Sequence, residues 1–188
     1  MKKIRFQVVL LSLALGAFGC LALDPIEKRE AVYGKAPPII HRSYAAPQVW
    51  PGDTWKVYLT ASDPDGDMKN IVCTLDQPGV GNYPASVTRI AEGRQKELSG
   101  FVYLNTQSFD NLTFVTLNLT VQVQDLAGHY SQPAVFPLLL TPSGQQEPPP
   151  PGVFQEENLG PIMIRLRTIH DDLGSPFERG IFFREHFR

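Results

Sequence analysis

Strict alternation of apolar and polar residues between Val115 and Gln124 is the feature that most constrains this fold. In the run Val-Thr-Leu-Asn-Leu-Thr-Val-Gln-Val-Gln, every odd-numbered residue is apolar and every even-numbered residue is polar. Successive side chains of a β-strand point to opposite faces of the sheet, whereas a helix would distribute these apolar residues around its surface. The segment is therefore predicted to be an antiparallel strand with one buried and one solvated face.

The same period of two recurs in shorter segments. It is clear from Trp55 to Ala61 and from Ile71 to Leu75, and weaker strands are predicted over 39–44, 85–90, 98–104 and 131–140. Turn sequences such as Pro51-Gly52-Asp53 separate these segments, and strands do not alternate with helical patterns. Many short strands within about a hundred residues predict an all-β fold, an antiparallel β-sandwich of two sheets over residues 39–141.

Three turn motifs resemble those of bacterial immunoglobulin-like domains of the cadherin-like and PKD-like kind. The motifs are Pro51-Gly52-Asp53 before one strand, Ala61-Ser-Asp63-Pro-Asp65-Gly-Asp67 after it, and Val123-Gln-Asp125-Leu-Ala-Gly128-His-Tyr-Ser131 between the last two strands. The resemblance implies an Ig-like arrangement of the sandwich. It implies little about activity, because such domains serve as spacers, adhesins and binders of carbohydrate or protein.

The first twenty residues are predicted to direct export. A basic start, Met-Lys-Lys-Ile-Arg, precedes an apolar run over residues 7–19, which is shorter than the ~20 residues of a spanning helix. Ala17-Phe18-Gly19-Cys20 resembles the lipobox of bacterial lipoproteins, which implies a signal peptide over 1–19 and a lipid anchor on Cys20. The residue after the cysteine is Leu21 and not Asp. By resemblance to Gram-negative lipoproteins, this implies an outer-membrane destination. A plain secretory signal that leaves Cys20 unmodified is the alternative.

Two irregular segments flank the predicted sandwich. Residues 20–38 have mixed charge and no clear periodicity, so they are predicted to be a tether that reaches ~50 Å from the membrane when fully extended. Residues 142–152 contain four consecutive prolines at 148–151 and are predicted to be a semi-rigid spacer. Recognition of these prolines by a binding module is the alternative.

Helical spacing returns in the C-terminal tail, residues 153–188. A first helix is predicted to begin at Pro161, with a strand over the same residues as the competing interpretation. Ser175-Pro-Phe-Glu178 forms a capping box for a second helix. The second helix contains a Phe-rich cluster, which we expect to pack on the sandwich, on a partner or on a membrane surface. The partner-binding residues predicted there are Phe177, Ile181, Phe183 and Phe187.

Alternating aspartates make the strongest candidate for a bound ion. Asp63, Asp65 and Asp67 surround Gly66 in one predicted turn, and the Ig-like order of strands would bring Asp125 to the same end of the sandwich. Several hard oxygen ligands are what Ca²⁺ requires, so these four residues are the predicted calcium ligands. The alternative is that Asp and Gly only stabilise the turn through hydrogen bonds to the backbone.

Motifs for other chemistry are few. The chain has 17 Lys and Arg against 19 Asp and Glu, a balance that disfavours nucleic-acid binding. The four histidines are scattered, and Cys73 lies on an apolar strand face, where a buried, inert thiol is expected. Tyr58 lies on the opposite face of its strand and is a candidate surface contact.

The functional prediction is a non-catalytic envelope lipoprotein that serves as a binding or structural module for another envelope component. The alternative is a small hydrolase that uses Asp63, Asp65 or Asp125, or a carbohydrate-binding protein of the envelope.

Overall fold

Ten β-strands in two sheets form the framework of the part of the chain that the structure, a computed structural model, describes: residues 24–107 and 113–167. The strands are β1 (Ile39–Ala45), β2 (Gln48–Val49), β3 (Thr54–Ser62), β4 (Met68–Gln77), β5 (Gly81–Asn82), β6 (Ser86–Arg89), β7 (Glu97–Asn105), β8 (Val115–Asp125), β9 (Ala134–Leu140) and β10 (Asn158–Pro161). Within the described ranges there is one helix, α1 (Ile26–Tyr33), and no helix is long and apolar enough to span a membrane. The predicted signal peptide over 1–19 and the predicted lipidation site Cys20 lie outside the described residues.

Two sheets enclose a single core. The first sheet has the order β1-β3-β7-β10, and the second has the order β2-β9-β8-β4, with β5 and β6 both paired to the outer side of β4. The long strands pair with one another in antiparallel orientation, while β10 runs parallel to β7 and β2 runs parallel to β9. The all-β prediction is therefore confirmed.

Alternation along the sequence determines which side chains form this core. The odd-numbered residues of β8 from Leu117 to Val123 are at most 1 % exposed, and the matching residues of β3 from Trp55 to Ala61 are also buried. Trp55 satisfies its indole N–H by donating to the Ala46 carbonyl at 2.8 Å. The strongest periodic signals in the sequence thus mark the two facing sheets.

The predicted tether is not a simple extended chain. Residues 26–33 form α1, which ends at Gly34 with a φ of 111°. The next residues return to the sandwich, where Pro38 is buried and the Ala36 amide donates to Asp65 Oδ2 at 2.8 Å. Sequence periodicity missed α1 because the helix has no buried residue and therefore no apolar stripe.

The helix predicted to begin at Pro161 is not found. Pro161 instead ends β10, and residues 162–167 have no regular secondary structure. Ile162 and Leu166 are 4 % and 3 % exposed and belong to the sandwich core. The domain thus extends beyond residue 141, because burial of these two side chains prevails over their helical spacing. The second predicted helix lies outside the described residues.

Residues 142–157, which we call the strap, lie along the first sheet instead of leading away from it. The Gln146 side chain accepts a hydrogen bond from Lys56 N at 2.8 Å and donates one to Thr54 O at 3.0 Å. Further along, Glu156 accepts a hydrogen bond from Tyr58 at 2.7 Å. The proline-rich segment predicted to be a spacer is therefore fastened to the domain at both of its ends.

Candidate cation site

Two loops at one end of the sandwich bring three aspartates together. Asp63 follows β3, Asp67 precedes β4, and Asp125 ends β8. β4 and β8 are neighbours, and Met68 pairs with Asp125, so the two loops meet at this end. One carboxylate oxygen from each aspartate lies within 4.8 Å of the others, and all three residues are buried. The predicted approach of Asp125 to the other loop is therefore present.

Asp63 organises its own loop through one carboxylate oxygen. Asp63 Oδ1 accepts hydrogen bonds from the amides of Asp65 at 2.8 Å and Gly66 at 3.2 Å. Gly66 has a φ of 75°, a backbone conformation that glycine adopts without the steric cost of a Cβ. Asp63 Oδ2 is buried and has no hydrogen-bond partner among the described residues.

Asp67, like Asp63, has one carboxylate oxygen that accepts a hydrogen bond and one that does not. Its Oδ2 accepts a hydrogen bond from Leu126 N at 3.2 Å, which connects the two loops. Its Oδ1 is buried without a partner in the described part of the chain. An unsatisfied buried carboxylate oxygen is costly, because burial removes its hydration without replacement.

Asp125 is held in place by its own turn and by His129. Asp125 Oδ1 accepts hydrogen bonds from Gly128 N at 2.5 Å and His129 N at 2.7 Å. His129 Nδ1 lies 2.8 Å from Asp125 Oδ2, and His129 Nε2 lies 3.1 Å from Glu30 Oε1 of α1. A neutral imidazole donates through one nitrogen only, so the protonated ring satisfies both carboxylates. The hydrogen bond to Glu30, which has the largest effect, and the one to Asp125 therefore raise the pKa of His129.

Burial and mutual repulsion disfavour the charged forms of two aspartates in the absence of an ion. Burial, followed by the charges of Asp63 and Asp125, raises the pKa of Asp67 from 3.8 to about 6. Burial also raises the pKa of Asp63, against the opposing effect of its two backbone hydrogen bonds. A cation bound among the three carboxylates would remove both penalties.

The spacing of the three carboxylates is compatible with one shared cation such as Ca²⁺. Ca²⁺ binds oxygen ligands at about 2.3–2.6 Å, so oxygens around one ion are separated by at most about 5 Å. The spacing of up to 4.8 Å meets this limit. The unpartnered oxygens of Asp63 and Asp67 provide open lone pairs, while His129 orients Asp125 as histidines and carboxylates do around bound metals.

Two of the predicted site residues, the calcium ligand Asp65 and the surface contact Tyr58, have other surroundings. Asp65 is not one of the three clustered aspartates, and its Oδ2 accepts the hydrogen bond from Ala36 N. Tyr58 is 4 % exposed and packs between Phe101 and Phe154, so the chain itself covers the face on which it was expected to be open. The tail residues Phe177, Ile181, Phe183 and Phe187 lie outside the described residues.

Sequence analysis missed the residues that surround the cluster. Arg29 and Glu30 of α1 are half-buried against the loop that contains Gly128 and His129. The sequence contains one local signal for this arrangement, the spacing of Asp125, Gly128 and His129 in a single turn. No local signal links that turn to Glu30, 99 residues earlier.

Comparison of the chain with protein-family models and with curated proteins gives no match in either case.

Proposed function

We propose that this protein is a non-catalytic, lipid-anchored envelope protein in which an Ig-like sandwich and its C-terminal tail bind another envelope component. Trp50 and Phe114 support this proposal, because they are 50 % and 73 % exposed at the end of the sandwich where the described chain runs into the Phe-rich tail. We call this the tail end; it contains the beginning of β3 and the ends of β4 and β9.

The two exposed aromatic residues lie at the same end of the second sheet. Val49 of β2 and Val115 of β8 pair with Leu140 of β9 from opposite sides, so these two valines are two strand spacings apart, about 10 Å. Trp50 directly follows Val49, and Phe114 directly precedes Val115. Phe114 has a φ of 61°, a backbone conformation that is unusual for an aromatic residue. Aromatic residues exposed in this way are typical of protein contact sites.

Burial of the aspartates argues against the alternative hydrolase. Asp63 and Asp125 are 1 % and 2 % exposed, whereas an acid and base pair must reach a substrate in a cleft. Sugar binding through Tyr58 is disfavoured for a similar reason, because Phe154 packs against its ring and its hydroxyl donates to Glu156.

The lipid anchor is tested by mass spectrometry of the mature N-terminus. The expected result is an acylated Cys20 at the first position. An unmodified N-terminus at another residue would remove the anchor from the proposal.

The binding face is tested by placing a photo-crosslinking residue at Trp50 or Phe114 in cells. Val135, 59 % exposed on β9, is the matched control because it is equally accessible but lies away from the tail end. Both test positions are expected to give the same protein adduct, which the control does not give. Absence of an adduct from either position, or the same adduct from all three, would contradict the proposed face.

The aspartate cluster supports a second proposal, that Asp63, Asp67 and Asp125 bind a structural calcium ion. At a calcium concentration about 100-fold above Kd, binding adds about 2.7 kcal/mol of stability, which raises Tm by about 5–10 °C for a domain of this size. Asp67→Asn is expected to abolish this rise and, in chelator, to stabilise the protein by removing one repelling charge.

Asp65→Asn is the matched control, because Asp65 lies in the same loop but is not one of the three clustered aspartates. It is expected to keep the calcium-dependent rise. Equal melting temperatures of the wild type in calcium and in chelator would overturn the calcium site.

A further inference from the structure

Helix α1 is fastened to the end of the sandwich that contains the aspartate cluster, which we call the cation-site end. Glu30 contacts His129 of the β8–β9 loop at 3.1 Å, and Ala36 N donates to Asp65 of the β3–β4 loop at 2.8 Å. Arg29 lies over Gly128, where a Cβ would come within 2.6 Å of the guanidinium. The segment that follows the predicted anchor is therefore joined to both loops of this end.

The contacts of α1 are polar, and its outer face is not apolar. Arg29 and Glu30 are half-buried toward the sandwich, whereas Lys28 has a side chain that is 72 % exposed. Three apolar side chains of α1, Ile26, Val32 and Tyr33, are also exposed. They form no continuous apolar face, because helical spacing places Ile26 and Tyr33 on one stripe with the charged Arg29 and Glu30, and Val32 beside Lys28. This composition suits a clamp between the chain and the domain and does not suit a helix that inserts into lipid.

Docking of α1 greatly shortens the reach of the anchor. Between Cys20 and Ile26 there are only five residues, which span at most about 20 Å even when fully extended. The extended tether predicted over residues 20–38 would reach ~50 Å instead. With α1 docked, the acylated residue thus stays close to the cation-site end.

The last described residue, Arg167, lies at the opposite end of the domain. β4 begins with Met68 beside the aspartate cluster and ends with Gln77, which donates to the carbonyl of Arg167 at 3.1 Å. Ten residues of strand separate these points by about 30 Å. Trp50 and Phe114 are at this same tail end.

From these positions we propose that α1 orients the domain on its membrane, with the cation-site end toward the lipid surface and the tail end, with Trp50, Phe114 and Arg167, directed away from it. This inference rests on the proposed function for the lipid anchor at Cys20. The acyl chains hold Cys20 in the bilayer, and the short linker from Cys20 to the docked α1 keeps the cation-site end near it, so no adhesive contact of the domain with lipid is required.

Energy transfer from labelled protein to vesicles tests this orientation. The full mature lipoprotein is reconstituted in phosphatidylcholine vesicles that contain acceptor-labelled headgroups. Single dyes are attached at Lys28→Cys on α1, Val87→Cys opposite the middle of β4, or Asn82→Cys at the tail end; these three positions are exposed. Cys73 is 1 % exposed and does not compete for the label. Transfer is expected to decrease in the order Lys28→Cys, Val87→Cys, Asn82→Cys.

A charge reversal on α1 tests whether the helix causes this order. Glu30→Arg places a cation against His129 and is expected to release α1, which makes transfer from the three positions nearly equal. Glu27→Arg is the matched control, since Glu27 is on the same helix but exposed, and it is expected to keep the order.

The outcomes separate this inference from the proposed function. Equal or reversed transfer in a protein that is acylated and bound to vesicles would overturn the orientation and leave the anchor in place. An order unchanged by Glu30→Arg would overturn the role of α1. Protein without acyl chains is expected to stay unbound. Its binding to the vesicles would show that a surface of the domain adheres to lipid, and would overturn orientation through the anchor and α1. A mature chain that carries no acyl group would overturn both proposals.

Discussion

At the scale of single residues, Asp67 should make the stability of the calcium-free protein depend on pH in an unusual direction. The folded state raises its pKa from 3.8 to about 6, so the folded chain binds a proton more tightly than the unfolded chain does between these values. Protonation of Asp67 therefore raises the free energy of unfolding by at most about 3 kcal/mol as pH falls from about 7 to 4.

The measurement is urea denaturation in chelator, with Asp67→Asn as the reference that cannot titrate. We expect the variant to be more stable than the wild type at pH 7 and the difference to shrink toward pH 4.5. A difference that stays constant over this range would show that the charge on Asp67 is not penalised.

Cys73 illustrates how a strand position controls reactivity. It alternates with Ile71 and Leu75 toward the core, is 1 % exposed, and burial raises its pKa to about 12. Because the thiolate is the reactive form, we expect alkylation of the folded protein at pH 8 to be slower by at least about 1000-fold than that of the unfolded chain. Peptide mass mapping after iodoacetamide treatment with and without guanidinium measures this ratio. Similar rates in both conditions would contradict a stably buried thiol.

At the scale of elements, β10 and the end of the strap depend on a close approach at Gly100 of β7. The Phe101 amide donates to the Glu157 carbonyl at 2.8 Å, and a Cβ on Gly100 would overlap that carbonyl and also lie 2.9 Å from Leu159 Cγ. Any side chain at position 100 must therefore displace backbone that leads into β10. Glycine is required here for space, as its φ is not in the left-handed region.

Gly100→Ala is accordingly expected to destabilise the domain by roughly 1–3 kcal/mol and to expose the strap to proteolysis. Limited proteolysis followed by mass spectrometry, with guanidinium denaturation, checks both effects. In Gly93→Ala the added Cβ meets open space, so this control is expected to bear only the cost of a positive φ without loosening the strap. Equal protection of the strap in wild type and Gly100→Ala would contradict the importance of this contact.

At the scale of the whole molecule, the core is completed by residues that follow the proline-rich segment. Ile162 and Leu166 fill positions that strands β1 to β9 leave open, and removal of such side chains costs about 2–5 kcal/mol each. A chain that stops after Glu157 is therefore expected to lose most of its stability, whereas a chain that stops after Arg167 is expected to keep it. Denaturation followed through the fluorescence of the buried Trp55 distinguishes the two. Equal midpoints for both truncations would show that residues 158–167 contribute nothing to the core.

Prediction from sequence succeeded where a side chain's environment follows from its neighbours along the chain. Val115–Gln124 and Trp55–Ala61 were assigned to strands with the correct faces buried, because the period of two is a local property. The candidate calcium site was predicted in part: Asp63, Asp67 and Asp125 do meet, while Asp65 turns toward Ala36. Helix α1 could not be predicted, because its polar contacts involve residues that are distant along the chain.

The sequence by itself determined the two-sheet core and the end at which acidic turns gather, since alternation selects the buried face of a strand and antiparallel order sets where its loops lie. Only the tertiary structure decided that Ile162 and Leu166 belong to the core, that Tyr58 is covered, and that α1 docks beside the aspartates. These outcomes depend on which surfaces remain open after the strands have paired. Burial of such surfaces is a property of the assembled molecule, which local spacing does not encode.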